Sequence, residues 1–252
     1  MKNLHIGKSD MNNNSSRITK EKKRKIVIKL SGSIFGQDAQ ENSIKKYAKM
    51  LHYISKKVQP VVITGGGKIA RQYINLARNL GSDEASLDIM GIEVSRLNAK
   101  LLMVALRDQV YPHVPTDLEE VAIAAETGKI VVVGGLHPGQ STNATSALIA
   151  EKVKASRFLN ATDVNGIYDS DPNTNKNAKL FKEITVKKCM EILGTTSSMA
   201  GTYDLIDIVA LKVIERSHIP TRVLRSDVTN IKNAINDKYW IGTEIAVVKK
   251  QF

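Results

Sequence analysis

A strand that runs directly into three glycines and then a helix is the feature that most constrains the fold of this chain. The stretch Val61–Arg71 reads V-V-I-T-G-G-G-K-I-A-R and joins β-forming residues to a helical segment that carries an arginine. Glycine lets the backbone approach an anion closely, and the amides and dipole of the following helix favour negative charge. The segment therefore predicts a phosphate-binding loop at the end of a buried strand.

The same layout recurs twice in the chain. Val131–Thr142, V-V-V-G-G-L-H-P-G-Q-S-T, also runs from a strand through glycines into a helix. The apolar strand Ile26–Leu30 leads into Ser31 and Gly32. Three such loops, each at the end of a strand, predict a site that binds more than one phosphate.

Apolar runs alternate with segments of helical periodicity along most of the chain. Strands are predicted at Ile26–Leu30, Val61–Thr64, Ile130–Val133, Arg157–Ala161, Pro220–Leu224 and Glu244–Val248. Helices are predicted at Ser43–Val58, Ile69–Leu80, Glu84–Val110 (one helix or a broken pair), Ala144–Val153, Thr185–Leu193, Tyr203–Ser217 and around Val228–Asn236. The alternation predicts an α/β fold with a mostly parallel sheet covered on both faces.

Composition favours one globular domain that follows a short tail. Residues 1–24 are polar and basic and predict a flexible tail, whereas residues 25–252 predict a single domain. Hydrophobic residues make up 42% of the chain, which is ordinary for a globular protein. The chain has one cysteine, so neither an internal disulfide nor a cysteine-based metal cluster can form, and a cytoplasmic location is expected.

The formal net charge of +12 indicates an anionic partner. The lysines are scattered over helix faces, and the chain has no basic motif interleaved with aromatic residues. Nucleic acid is therefore disfavoured relative to small polyanions. No apolar run approaches the roughly 18 residues that a membrane helix needs, so no membrane partner is expected.

Five motifs in a fixed order give the chain a family resemblance. They are K-L-S-G at Lys29–Gly32, G-G-G-K-I-A-R at Gly65–Arg71, L-D-I-M-G-I-E-V-S-R-L-N-A at Leu87–Ala99, G-G-L-H-P-G-Q-S-T-N-A at Gly134–Ala144 and T-D-V-N-G-I-Y-D-S-D-P at Thr162–Pro172. From Lys25 onward the chain resembles the amino acid kinase superfamily, and within it the uridylate kinases of the archaeal type. Walker and protein-kinase motifs are missing from the sequence.

The resemblance implies a three-layer α/β/α sandwich with both ligands over the carboxyl edge of the sheet, where open α/β sheets bind their ligands. It implies transfer of the γ-phosphoryl group of ATP to UMP. The N-terminal half would bind UMP and the C-terminal half ATP. Mg²⁺ would be bound with ATP rather than at a separate protein site, and a homohexamer is expected.

The resemblance also assigns residues to each ligand. The ATP side comprises Lys29, Ser31, Gly32, Gly67, Arg71, Thr162, Tyr168 and Asp171. The UMP side comprises Gly66, Asp88, Leu136, His137, Pro138, Gly139, Gln140, Ser141 and Thr142. Lys29 would bridge donor and acceptor phosphates, and Asp88 would accept hydrogen bonds from ribose hydroxyls. Arg96 and Asn98 are expected in helix packing or subunit contacts.

Asn143 occupies a position where many relatives have an aspartate between two catalytic lysines. Its uncharged side chain excludes a carboxylate base there. The acceptor would be a phosphate oxygen, which is already ionised because the second phosphate pKa is about 6. Lys212 is the candidate for a second catalytic lysine, and a plain surface lysine is the alternative.

Two other functional classes fit parts of the sequence. One is another small-molecule kinase of the same fold, which would act on carbamate, acetylglutamate or isopentenyl phosphate. The other is a non-catalytic relative that binds nucleotides or metal-oxo clusters. The presence of Lys29 at the strand end favours catalysis over the second class.

Overall fold

The structure is a computed structural model that describes residues 22–36, 40–196 and 205–247. Its strands are β1 (Lys25–Leu30), β2 (Gln59–Thr64), β3 (Val131–Val133), β4 (Arg157–Thr162), β5 (Glu183–Thr185), β6 (Thr221–Arg225) and β7 (Gly242–Ala246). Its helices are α1 (Glu41–Ser55), α2 (Gly67–Asn79), α3 (Glu84–Leu106), α4 (Leu118–Glu126), α5 (Thr142–Lys152), α6 (Val186–Thr196), α7 (Ile208–Ser217) and α8 (Val228–Ile235). Most of the predicted tail, residues 1–21, lies outside the described residues.

The strands form one sheet in the order β3-β2-β1-β4-β6-β7-β5. The neighbours from β3 to β6 are parallel, whereas β7 runs antiparallel to β6 and pairs in parallel with β5. The chain moves from β1 outward to β3 and then returns to β4 on the other side of β1. This reversal of strand order is a topological switch point, where a crevice for ligands opens at the carboxyl ends of the strands.

Both faces of the sheet carry a hydrophobic core. One core packs side chains of α4, α5, α6 and α7 against Val27, Ile63 and Phe158. The other packs α1, α3 and α8 against Ile28, Val62 and Leu159. The predicted α/β/α sandwich with a mostly parallel sheet is confirmed.

Local sequence signals explain how the long helix α3 begins. The side chain of Asp83 accepts a hydrogen bond from the Ser86 amide at 3.0 Å and thereby caps the first turn. The prediction left Glu84–Val110 open as one helix or two, and the structure has one helix to Leu106 followed by a short 3₁₀ turn. Within the described residues, none of the helices is both long enough and apolar enough to cross a bilayer.

Two elements were not predicted. Helix α4 begins at an N-cap that the sequence shows, since the side chain of Asp117 accepts a hydrogen bond from the Glu120 amide at 2.8 Å. Strand β5 has only three residues, two of them exposed, and Thr185 was predicted to begin a helix instead. Its pairing with β7 defines this strand, and a pairing partner cannot be read from so short a segment.

Candidate active site

Two of the predicted phosphate loops meet backbone to backbone at the carboxyl edge of the sheet. A Cβ atom placed on Gly32 would lie 2.2 Å from the Gly67 nitrogen, and one placed on Gly67 would lie 2.4 Å from the Gly32 oxygen. Gly67 also has a φ of 67°, in the region that side chains disfavour. Lys29, which is 9% exposed, precedes this contact on β1. The first two loops therefore form one continuous surface.

Helix α3 fixes the backbone of these loops. Asn98 donates a hydrogen bond to the Gly65 oxygen at 2.8 Å, and Ser95 accepts one from the Gly135 amide at 2.7 Å. Arg96 donates from Nε to the Gly135 oxygen at 3.2 Å. The S-R-L-N segment thus joins the second loop to the third. Arg96 and Asn98 were expected only in helix packing or subunit contacts, and their hydrogen bonds to the loops were not predicted.

A cavity of about 230 Å³ lies between the second loop with the start of α2, the helix α3, and the third loop. Its lining includes site residues that the sequence predicted, namely Gly66, Gly67, Arg71, Asp88, Gln140 and Thr142. Ala70, Ile74, Gly91, Ile92, Ser95 and Gly135 complete the lining. Gly67 and Arg71 were assigned to ATP, yet they share this cavity with residues assigned to UMP.

The third loop closes the cavity and is anchored at both ends. Asp88 accepts a hydrogen bond from the Gly139 amide at 2.7 Å, and Gly139 has a φ of 75° that favours glycine. At its far end Ser141 caps α5 by accepting from the Ala144 amide at 3.0 Å, and it donates to the carboxylate of Asp207. Leu136 is buried, whereas the three following residues, His137 to Gly139, are exposed. Asp207 was not predicted as a site residue.

A chain of hydrogen bonds connects the first loop to the end of β4. Ser31 and Ser33 lie 2.9 Å apart through their hydroxyl oxygens, and Ser33 donates to Asp163 at 2.7 Å. This chain crosses the switch point between β1 and β4. Neither Ser33 nor Asp163 was predicted, because 130 residues separate the two in sequence.

The other residues assigned to ATP lie on the C-terminal side of the switch point. Thr162 ends β4 and is buried. Tyr168 is half-buried and forms a β-bridge with Leu180. Asp171 organises a turn, since its Oδ1 accepts from the Asn173 amide at 2.9 Å. Among the described residues, both hydrogen bonds that the Asp171 carboxylate accepts use Oδ1, so the turn and the predicted ligand contact are compatible.

The tyrosine Tyr47 of α1 borders this side of the site. Its hydroxyl donates to the Ser226 oxygen at 2.5 Å. Burial raises the pKa of Tyr47, and the nearby carboxylates of Asp227 and Asp163 raise it further. The hydroxyl therefore stays protonated and serves as a fixed donor across the usual pH range.

The family model for the amino acid kinase family matches residues 24–225. The chain belongs to the amino acid kinase family. It is 40% identical over 222 residues to the uridylate kinase of Methanobrevibacter smithii, which covers 88% of this chain and 98% of that protein. It is 43% identical over 223 residues to the uridylate kinase of Methanoculleus marisnigri, with 88% and 95% covered. The resemblance to archaeal uridylate kinases is thereby confirmed.

Solved structures agree with this membership in the amino acid kinase family. The crystal structure of uridylate kinase from Archaeoglobus fulgidus matches with a TM-score of 0.80 and 38% identity, over 88% of this chain and 99% of that one. The UMP kinase from Ureaplasma parvum matches with a TM-score of 0.74 at 24% identity, over 89% and 99%. The second match bears on the fold alone.

Asn143, which stands where many relatives have an aspartate, and Lys212, the candidate for a second catalytic lysine, lie in different environments. Asn143 is 5% exposed and lies in the first turn of α5. Lys212 lies on α7, where Ala210, Leu211 and Val213 face the core and Lys212 is exposed on the other side. The structure does not bring Lys212 to the cavity, and its catalytic role stays a prediction.

The described part of the chain was searched for side chains that could hold a metal ion together. There, no group of three or more histidine, cysteine, aspartate or glutamate residues is placed to hold an ion. Mg²⁺ is bound in many kinases mainly through substrate phosphates and water, with one or two carboxylates. Asp163, an exposed carboxylate beside the first loop, fits such a limited contribution.

Proposed function

We propose that this chain is a uridylate kinase, which transfers the γ-phosphoryl group of ATP to UMP and releases ADP and UDP. The single observation that carries the proposal is the cavity of about 230 Å³ that joins the glycine loops to Asp88 and Gln140. Among its lining side chains are the guanidinium of Arg71, the carboxylate of Asp88 and the amide of Gln140, which can bind the polar groups of a nucleoside monophosphate. Identity of about 40% to curated uridylate kinases over 88% of the chain supports the same acceptor.

The acceptor nucleotide would occupy this cavity. Arg71 and the amides at the start of α2 would bind its phosphate, because a helix N-terminus and a guanidinium both favour an anion. Asp88 would accept from ribose hydroxyls with the oxygen that does not bind Gly139. The loop Leu136–Thr142 would contact the uracil through its backbone groups.

ATP would lie across the switch point, with its phosphates on Ser31 and Gly32 and its nucleoside near Thr162, Tyr168 and Asp171. An oxygen of the UMP phosphate forms a bond to the γ-phosphorus while the bond to the bridging β–γ oxygen breaks. The electron pair of that bond stays on ADP. Lys29 would stabilise the charge on the moving phosphoryl group.

Mg²⁺ would be bound with ATP, where it neutralises charge on the phosphate oxygens. Asp163, which lies beside the first loop, would contribute an oxygen ligand. No base is required, since the acceptor phosphate is ionised at neutral pH. The uncharged Asn143 is therefore compatible with this reaction.

Residues 25–252 would act as one domain, in which the N-terminal half binds UMP and the C-terminal half binds ATP.

The protein would assemble as a homo-oligomer, and the resemblance implies a hexamer. An apolar stripe on α3 supports self-association. Leu97, Leu101 and Val104 are 64%, 45% and 74% exposed and share one helix face. Exposed apolar patches of this kind mark interaction surfaces. The cytoplasmic location stays a prediction.

The test is a coupled ADP-release assay with Mg·ATP and a panel of acceptors: UMP, CMP, AMP, GMP, carbamate, acetylglutamate and isopentenyl phosphate. UMP is expected to give the highest turnover, with UDP as the detected product. If UMP gives no signal above the blank while another acceptor turns over, the uridylate assignment is wrong. If no acceptor turns over, the non-catalytic alternative is favoured.

A further inference from the structure

A hydrogen bond between two side chains crosses the switch point at the carboxyl edge of the sheet. Ser33 directly follows Gly32, whose backbone lies against that of Gly67. Asp163 directly follows Thr162, the last residue of β4. The Ser33 hydroxyl donates to Oδ1 of Asp163 at 2.7 Å. The bond therefore joins the first phosphate loop to the end of β4, where open α/β sheets bind their ligands.

The direction of the protons in this group of side chains follows from their chemistry. A carboxylate only accepts hydrogen bonds, and a serine hydroxyl has one proton and two lone pairs. The proton of Ser33 is therefore directed to Asp163. The Ser31 hydroxyl lies 2.9 Å from the Ser33 oxygen and must donate to it, because Ser33 has no second proton. Both hydroxyl protons thus run toward Asp163.

This proton order bears on how the first loop would bind phosphate. An ionised phosphate oxygen, like a carboxylate, accepts hydrogen bonds and does not donate them. With both protons directed to Asp163, neither Ser31 nor Ser33 has a hydroxyl proton for a phosphate. Phosphates on this loop would instead be bound by main-chain amides, which glycine allows an anion to approach closely. The two hydroxyls serve Asp163.

The bond between Ser33 and Asp163 contributes little to folding. Both residues are exposed, so water can replace either partner. Other contacts already hold the two segments: Ser31 caps the 3₁₀ turn by accepting from the Ser33 amide at 3.3 Å, and the Thr162 oxygen accepts from the Ser226 amide at 2.6 Å. A role in orienting the carboxylate therefore explains the bond better than a role in stability.

Other aspartates of the C-terminal half bind main-chain amides. Asp227 caps α8 by accepting from the Asn230 amide at 2.8 Å, and Asp207 caps α7 by accepting from the Ala210 amide at 2.9 Å. The hydrogen bond that Asp163 accepts within the described part of the chain comes from a side chain of the phosphate loop and uses Oδ1. Oδ2 is therefore the oxygen of Asp163 that a cation on the phosphates could bind.

We propose that Ser33 is a positioning residue for the metal ligand Asp163: its hydroxyl fixes Oδ1, so that Oδ2 is presented to the Mg²⁺ that accompanies ATP. This inference rests on the proposed function, which places Mg·ATP at this edge. Carboxylates that ligate a metal are themselves oriented by hydrogen bonds, and loss of such a partner typically costs roughly 10–100-fold in metal affinity or activity. Ser31 would support the arrangement by donating to Ser33.

The test measures binding of the non-hydrolysable ATP analogue AMP-PNP to the full-length chain by calorimetry, with saturating Mg²⁺ and with EDTA. The ratio of the two dissociation constants reports the contribution of the metal, whereas the metal-free constant reports direct contacts to the nucleotide. Ser33→Ala is expected to lower the ratio about tenfold and to leave the metal-free constant unchanged. Ser33→Thr keeps a hydroxyl and should retain the wild-type ratio.

Two further variants show whether Ser33 acts through Asp163. Asp163→Asn removes the charge of the ligand and should also lower the ratio. Adding Ser33→Ala to it should cause no further loss, because the two side chains act on one contact. Ser86→Ala is the matched control, since Ser86 also donates to an aspartate, Asp83, at 2.7 Å, but at the start of α3. It should leave both constants at their wild-type values.

Thermal unfolding of each variant checks that the fold is retained, which the exposure of Ser33 and Asp163 predicts. A Ser33→Ala variant that loses metal-free affinity but keeps the ratio would show that Ser33 binds a phosphate directly, and the proposal would be wrong. An unchanged ratio in Asp163→Asn would overturn it as well, because Asp163 would not be a metal ligand.

The proposed function is tested separately by turnover of UMP. The expected ratios in a protein that phosphorylates UMP support both proposals. The same ratios in a protein that does not use UMP would support the positioning role of Ser33 while the uridylate assignment fails. If wild-type protein binds AMP-PNP neither with Mg²⁺ nor without it, both proposals are wrong.

Discussion

The contact between Gly32 and Gly67 makes Gly32→Ala the most direct test of the site. The added Cβ would lie 2.2 Å from the Gly67 nitrogen, 2.5 Å from its Cα and 2.8 Å from the carbonyl carbon of Gly65. All three are backbone atoms, so a rotamer change cannot relieve the overlap. Ordinary contacts of a Cβ begin near 3.4 Å. One loop must therefore move by about 1 Å relative to the other.

The size of the effect follows from this displacement. A misplacement of about 1 Å in a group that positions substrates can cost roughly 100-fold in rate, or about 2.7 kcal/mol in the activation free energy. Overpacking of this kind lowers the free energy of unfolding by about 1–3 kcal/mol. We expect Gly32→Ala to lose about two orders of magnitude in kcat with UMP and ATP, and the protein to remain folded.

Two other glycines provide controls in the same assay. Gly36 follows the same loop with a φ of −68°, and its Cβ would lie an ordinary 3.4 Å from the Ser33 oxygen, so Gly36→Ala should keep wild-type kcat. Gly128 has a φ of 72° but open space around its Cβ position. Gly128→Ala should therefore lose about 1 kcal/mol of stability through backbone strain while kcat stays unchanged.

The measurements are steady-state ADP release and urea unfolding for all three variants. If Gly32→Ala retains kcat within threefold of wild type, the two loops do not need their close approach and the proposed arrangement of the phosphates is wrong. A similar loss of kcat in Gly128→Ala would show that general destabilisation causes the effect.

Three further predictions concern single groups. Asp88→Asn keeps an oxygen that can accept from the Gly139 amide but removes the negative charge proposed to bind the ribose hydroxyls. KM for UMP should therefore rise about tenfold, with a smaller change in kcat. An unchanged KM would contradict the ribose contact. Leu97→Glu places a charge in the apolar stripe of α3, so the molar mass of the particle measured by light scattering should fall. The control Lys46→Glu, at an exposed position of α1, should leave this molar mass unchanged. An unchanged molar mass for Leu97→Glu would exclude the α3 stripe as an interface. Burial raises the pKa of Cys189 to about 12, so its thiol should stay protonated and resist alkylation at pH 8 until urea unfolds the chain. Rapid alkylation of the native protein would contradict this buried environment.

The sequence predicts the parts of the site that depend on local patterns. Consecutive β-branched residues before Gly65 and Gly134 identify buried strands, and the glycines identify the loops that follow. Their meeting at one edge follows from the parallel direction of the strands. The cap of α5 by Ser141 was likewise foreseeable, because serine before a helical segment is a common N-cap.

The rest of the site depends on contacts between distant segments. Ser33 and Asp163 meet because β1 and β4 are neighbours, and strand order is not encoded in either segment. Arg71 was assigned to ATP and lines the cavity together with residues assigned to UMP; the side of α2 that it faces depends on how α2 packs on α3, which the sequence does not specify. The direction of β7 is set by its pairing with β6, which short apolar runs do not specify.

The backbone contact at Gly32 and Gly67 also bears on how the proposed reaction would be catalysed. If one phosphate binds each loop, the distance between donor and acceptor is fixed by van der Waals contact of two main chains. Main-chain contacts are stiffer than a pair of flexible cations, so the reacting atoms would be aligned before charge moves. Lys29 then needs only to stabilise that charge, because no proton has to be removed from the acceptor phosphate. Catalysis in such a site should depend more on loop geometry than on acid–base groups, and a substitution that moves a loop should cost more than one that alters a nearby titratable group such as His137.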